Sequence, residues 1–396
     1  MPSYVLTDVE EGIFREEWVL DCQSGPQLDG SDDWSISKYT LRGGLSDGVD
    51  IITLDNGALS MSVLPTRGMG LWRGDYGDIP IEWLSPVARP VNPQFVNLQE
   101  RSGLGWLNGF NELLCRCGLA WNGPPGVDRV LNNNGDPIET ELTLHGKIAN
   151  LPAHFVQVEV SDRGAGTLSV TGVVDESMMF GPNMRLTSTV STTAGSNAIT
   201  IHDRVTNLSA QAAELELLYH TNIGGPFLEK GSKLVAAFAE CAPRDPHSAS
   251  SSDGFDSYPA PRAGFTEEAF FFELASSDDG LATVLLRNAA GDRGLSMSFE
   301  KKRLPCFTLW KNTQAEEDGC VTGLEPGTNY PNLKTFERER GRVINLAPGA
   351  SYETEIELQI HDSSDAVSEV EEKIRSSHPA DAQLHASPIE RFSPGA

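Results

Sequence analysis

From about residue 50 to residue 361, apolar and polar residues alternate with a period of two, segment after segment. IITLD-NG-ALSMSVL predicts a hairpin, with Asn56-Gly57 at a tight turn and Leu59, Met61 and Val63 on one face. FVQVEV and TLSVTGVV flank a glycine-bearing loop and predict another antiparallel pair. MRLTSTV, AITIHDRV, AAELELLYH, LATVLLRN, LSMSFE and LPCFTLW continue the series. SYETEIELQIH alternates most cleanly, with Tyr352, Thr354, Ile356, Leu358 and Ile360 opposite Glu353, Glu355, Glu357 and Gln359. One face of that strand is buried and the other is wet.

Helical spacing is rare. Val367, Val370 and Ile374 recur at helical intervals after a Ser/Asp start, and a shorter helix is expected around FVNLQE. Residues 242–264, rich in Pro, Ser, Asp and Gly, read as a long loop, and the chain beyond 377 as an extended tail. More than a dozen strands without alternating helices predict an all-β fold, a large antiparallel sandwich. The expected division is an N-terminal extension over 1–45, the sandwich over 46–361, and a C-terminal helix and tail over 362–396.

Composition narrows the partners. The chain has 396 residues, 39% hydrophobic and 22% charged, enough for a sizeable core. Its 56 acidic and 30 basic residues leave a net charge of −26, a field that repels nucleic acid and anionic membrane surfaces. Six cysteines are too sparse for a disulfide scaffold, and Cys115-x-Cys117 is too short for a CxxC site. The N-terminal residues carry no basic segment followed by an apolar core, so a cytoplasmic location is expected. No glycine-rich phosphate loop, HxH or HExxH occurs, so the motifs give little support to a phosphate or metal site.

Three polar positions stand out against the alternation. In AAELELLYH, Leu215, Leu217 and Tyr219 share one face, and Glu216, Leu218 and His220 the other, with a glycine pair shortly after. In ETELTLHG, His145 shares a face with Glu141 and Thr143, and Gly146 follows. In GLEPGTNYPN, Glu325 sits in what reads as a proline-locked turn. Each position alone also fits an exposed polar end. A carboxylate and an imidazole facing one pocket would form a general base and a general acid.

Taken in order, TLHG, LLYHTNIGGPFL, LPCFTLWKN and GLEPGTNYPN, with FNELLCRCGLAWNG upstream, resemble the galactose mutarotase (aldose 1-epimerase) superfamily and, within it, the DUF4432 family. The resemblance spans about residues 45–361 and implies a β-sandwich with a sugar in a cleft on one sheet. It implies that Glu325 takes the anomeric proton and His220 protonates the ring oxygen, with His145 holding that oxygen, a proton chemistry that requires neither metal nor organic cofactor. Arg116, Arg67, Asn222 and Asp245 are the implied sugar contacts, Asp245 with Arg244 beside it. Two other readings share the fold: a non-catalytic carbohydrate-binding protein, for which Trp106, Trp121 and Trp310 would form an aromatic floor, and a carbohydrate lyase or hydrolase.

Overall fold

The computed structural model describes residues 2–395. The alternating segments pair into two large sheets, one of ten strands and one of fourteen. All their strand pairs are antiparallel except Gln383–Leu384 on Phe238–Pro243. Burial follows the period of two. Leu168, Val170 and Val174 on Thr167–Ser177 face the same way as Met184, Leu186 and Val190 on Asn183–Thr193. These side chains meet Leu54, Met61 and Val63 of the other sheet in one core cluster, so the main core lies between the sheets. The Asn56-Gly57 hairpin forms as expected, between Asp50–Asp55 and Leu59–Leu64, with Gly57 at φ +91. Asn56 is fully buried, and its amide donates to Thr192 Oγ1, Thr193 O and Ser196 O, tying the turn to the opposite sheet.

His220 and Glu325 fall within a block of five adjacent strands of the larger sheet. In spatial order these are Glu268–Leu274, Cys306–Asn312, Val321–Gly327, Ala213–Ile223 and Leu114–Leu119. The strand Ala213–Ile223 is buried on both faces. Leu215, Leu217 and Tyr219 enter the main core, while Leu218 joins a second cluster with Trp83, Trp106, Phe110, Cys115 and Cys117. That second cluster covers the outer face, which strand alternation alone would leave wet.

The chain outside 46–361 is woven into the sandwich. Ser3–Asp8 pairs with Phe155–Ser161 in the ten-stranded sheet, and Glu17–Asp21 with Ser35–Thr40 extends the larger one. The expected helix spans Ser364–Ser376 and buries Val367 and Ile374 against Leu285 and Ala237. Residues beyond it fold back instead of trailing away, and Phe392, 3% exposed, packs on Tyr330. The 242–264 stretch is likewise structured, with a short helix at Pro246–Ala249 capped by Asp245, and Tyr258 buried against Thr322. No helix among the described residues is long and apolar enough to cross a membrane.

Candidate active site

His220 lies within its strand, three residues before the end, and is 5% exposed. The register that pairs Thr221 with Leu324 and Leu218 with Gly327 sets Glu325 across from it on the neighbouring strand. Glu325 is therefore a strand residue, where a turn was expected, and is 3% exposed. His220 Nε2 stands 3.2 Å from Glu325 Oε1. That oxygen has no hydrogen-bond partner, so the contact lacks the alignment of a hydrogen bond. Room for the carboxylate comes from Gly323, two residues back on the same face, where a Cβ would fall 2.4 Å from Oε1.

Neighbours fix the imidazole's tautomer. Asn222 Nδ2 donates to Glu112 O and His220 O, which turns Asn222 Oδ1 towards His220 Nδ1 at 2.7 Å. An amide oxygen there requires Nδ1 to carry the proton, leaving Nε2 to face Glu325. Phe110 and Trp310 pack edge-on against the ring, with centroids 5.2 and 5.3 Å away. This enclosure drives the His220 pKa down to about 3, with His145 adding to the effect and Asn222 opposing it. Burial also pushes Glu325 well above the usual carboxylate range, helped by Glu267 and opposed by Arg244. The resting pair thus holds its proton on the carboxyl group.

His145 approaches the same pair from a loop. It sits three residues past the strand Pro137–Leu142, at φ +58, so it is not the strand end that alternation suggested. Gly146 at φ +72 continues the left-handed path, and a Cβ there would strike Gly118 O and Trp121 O at 2.3 Å. His145 Nδ1 donates to Asn122 O at 2.7 Å, so Nε2 is the bare nitrogen. Its ring centroid lies 5.4 Å from that of His220 and 4.9 Å from that of Trp106. Burial lowers its pKa to about 4.

His145, His220 and Glu325 therefore converge on one cavity of about 800 Å³. Trp106, Phe110 and Trp310 supply its apolar walls. On the rim, Arg244 contacts Asp245 Oδ2 at 2.8 Å and Glu267 Oε1 at 3.1 Å, and Glu267 Oε2 accepts from Trp310 Nε1 at 2.8 Å. Two further buried polar atoms of lining residues have no partner, Trp106 Nε1 and Thr308 Oγ1. Leaving such groups unsatisfied costs about 1–3 kcal/mol each, and an oxygen-rich ligand would relieve it. No group of three or more His, Cys, Asp or Glu side chains among the described residues is disposed to hold a metal ion.

The other expected sugar contacts lie elsewhere. Arg116 follows strand alternation away from Cys115 and Cys117 into the space between the sheets, where Nη2 meets Asp203 Oδ1 at 2.9 Å and Ser188 Oγ at 2.7 Å. Arg67 is buried behind the cavity wall, paired with Glu112 and bonded to Val91 O and Asn150 Oδ1. Neither guanidinium lines the cavity. Asn222 lies beneath it as the partner of His220, and Asp245 reaches it only through Arg244. Trp121 packs against the main core with its Nε1 on Thr143 O. Glu267 and Thr308 line the cavity unanticipated. Thr308 had a signal, since Cys306, Thr308 and Trp310 alternate on one face of LPCFTLW; Glu267 is one acidic residue among many.

No curated protein matches the chain. Among solved structures, a candidate aldose 1-epimerase from Klebsiella pneumoniae is 34% identical, with 96% of each chain covered and a TM-score of 0.88. A galactose mutarotase-like protein from Clostridium acetobutylicum is 14% identical over 88% of this chain and 99% of its own, at 0.55. A candidate aldose 1-epimerase from Escherichia coli K12 is 17% identical over 79% and 99%, at 0.51. These last two share the fold. The family profile described as a domain of unknown function, DUF4432, matches residues 46–360, and the chain belongs to that family, on a galactose mutarotase-like fold.

Proposed function

We propose that the protein is an aldose 1-epimerase-type isomerase that interconverts the anomers of a sugar in this cavity. The observation that carries the reading is the enclosed pair His220 and Glu325, set side by side by strand register with Nε2 and Oε1 3.2 Å apart. The working form is reached when the proton that the resting pair keeps on Glu325 moves to His220 Nε2. Ionised Glu325 then takes the proton from the anomeric hydroxyl, the C1–O5 bond breaks, and protonated His220 gives its proton to O5. Rotation about C1–C2 and reclosure from the other face, with both transfers reversed, yields the opposite anomer.

The electrostatics of the site support this cycle. Ring opening leaves Glu325 protonated and His220 neutral, which is the distribution that burial favours. Closing regenerates the charged pair. The charged pair is the unfavourable form in this dry site, so its neutralisation as the ring opens favours that step and offsets the cost of forming the charged pair from the resting one. Asn222 keeps Nδ1 occupied, so proton traffic runs through Nε2 alone.

The test is exchange between anomers of a panel of aldoses, followed by NMR saturation transfer. Wild type should accelerate exchange of at least one sugar, and Glu325→Gln should slow it by about 10²–10⁴-fold. A second reading, a carbohydrate-binding protein without turnover, draws on Trp106 and Trp310 in the cavity wall. Binding without exchange in the wild type would establish that reading instead.

A further inference from the structure

Thr308 shares the cavity face of the sheet with the catalytic pair. It stands opposite Glu325 on the next strand, as Glu325 stands opposite His220. The three side chains thus form a row across neighbouring strands, His220 then Glu325 then Thr308, at the strand spacing of about 4.8 Å. Thr308 is 2% exposed, lines the cavity, and its Oγ1 has no hydrogen-bond partner. Thr221 Oγ1 in the same sheet is also without a partner, but it alternates with His220 onto the core face and does not line the cavity. Thr322 Oγ1, by contrast, donates to Trp310 O, and Thr53 Oγ1 meets Ser62 Oγ. A buried, idle hydroxyl beside a proton-transfer pair calls for a ligand atom.

The order of the row identifies that atom. Around a pyranose, the ring oxygen, the anomeric hydroxyl and the C2 hydroxyl follow one another. If His220 serves the first and Glu325 the second, the next side chain in the row meets the third. Resting on the isomerase assignment of those two residues, we propose that Thr308 is a specificity residue that hydrogen-bonds the C2 hydroxyl of the substrate. The favoured substrates are then aldoses bearing a free 2-hydroxyl, and 2-deoxy sugars are discriminated against.

The experiment crosses residue with substrate. Wild type, Thr308→Val and Thr308→Ser are each given D-galactose, D-glucose and the matching 2-deoxy sugars, with folding checked by circular dichroism. Anomer exchange and dissociation constants are both measured by NMR. Wild type should lose roughly 10- to 100-fold in kcat/KM on removal of the 2-hydroxyl. Thr308→Val should lose about the same on the parent sugar and nothing further on the 2-deoxy sugar, while Thr308→Ser keeps the preference. Equal losses by Thr308→Val on both members of a pair, or no loss on either, overturn the assignment. If wild type binds but does not exchange, the same cycle read in Kd decides: coupling upholds Thr308 and discards the isomerase, and additivity discards both. Absence of both binding and exchange for all four sugars also overturns it.

Discussion

At the scale of single residues, the site depends on small side chains as much as on reactive ones. Gly323 leaves the space that Glu325 Oε1 occupies, and Trp310 Cβ lies 3.3 Å from where its Cβ would be. Gly323→Ala should displace the carboxylate while leaving the strand in place, cutting anomer exchange by about 10²-fold with melting temperature little changed. Full activity in that variant would mean that another carboxylate pose is the working one. His145 gives a prediction of a different kind. Its pKa of about 4 lies below the ordinary 6.5, so between those values the unfolded chain binds a proton that the folded one refuses. The stability this represents is present above pH 6.5 and is lost as pH falls towards 4. Asparagine tolerates the left-handed conformation at this position, and His145→Asn removes the titration. Between pH 7.5 and 4.5, wild type should therefore lose more melting temperature than His145→Asn. Removing His145 also relieves His220, which shifts the comparison the same way. Parallel losses in the two proteins would contradict the buried, neutral state of His145.

At the scale of elements, the strands were legible in the sequence because the sheets face one common core, so burial alternates wherever one face is wet. The two-sided strands were harder to read. In Leu114–Leu119 every residue is buried, so no contrast in polarity marks which face meets the cavity. Alternation within LCRCGL does separate Arg116 from Cys115 and Cys117, and that separation carries Arg116 to Asp203 instead of to the cavity. Pro326 hid the strand around Glu325, because proline cannot donate to a ladder and is rare in central strands. Here the ladder to Ala213–Ile223 is interrupted between the Thr221–Leu324 and Leu218–Gly327 pairs, where Pro326 falls. The His145 loop was visible only through Gly146, since no two-residue period describes a left-handed turn. The roof over His220 comes from residues 83–110, remote in sequence, and no local pattern could announce it. Motif order singled out His220 and Glu325 as candidates; their burial comes from that roof together with Trp310 and His145.

At the scale of the whole molecule, the two sheets are joined by a buried ion pair as well as by apolar packing. Arg116 belongs to the larger sheet and Asp203 to Ala198–Asn207 of the smaller, and both side chains are fully buried. Arg116 also donates to Gly68 O and Met69 O, and Tyr219 OH donates to Asp203 Oδ2 at 2.7 Å, so the polar atoms are matched. Removing one partner strands a charge away from water, a loss of about 3–5 kcal/mol, whereas removing both can be close to neutral. Arg116→Met should therefore melt far below wild type, and Arg116→Met with Asp203→Leu should recover much of the difference. The loss should respond little to salt, since no solvent separates the pair, even though the surface field of this chain, at net charge −26, is screened over about 10 Å at 0.1 M. The same variants test where Arg116 acts. Measured well below its melting temperature, Arg116→Met should keep the sugar affinity of wild type, because its guanidinium lies between the sheets and away from the cavity. A weakened Kd in the folded variant, with stability restored by the double substitution and affinity not, would place Arg116 in sugar binding after all.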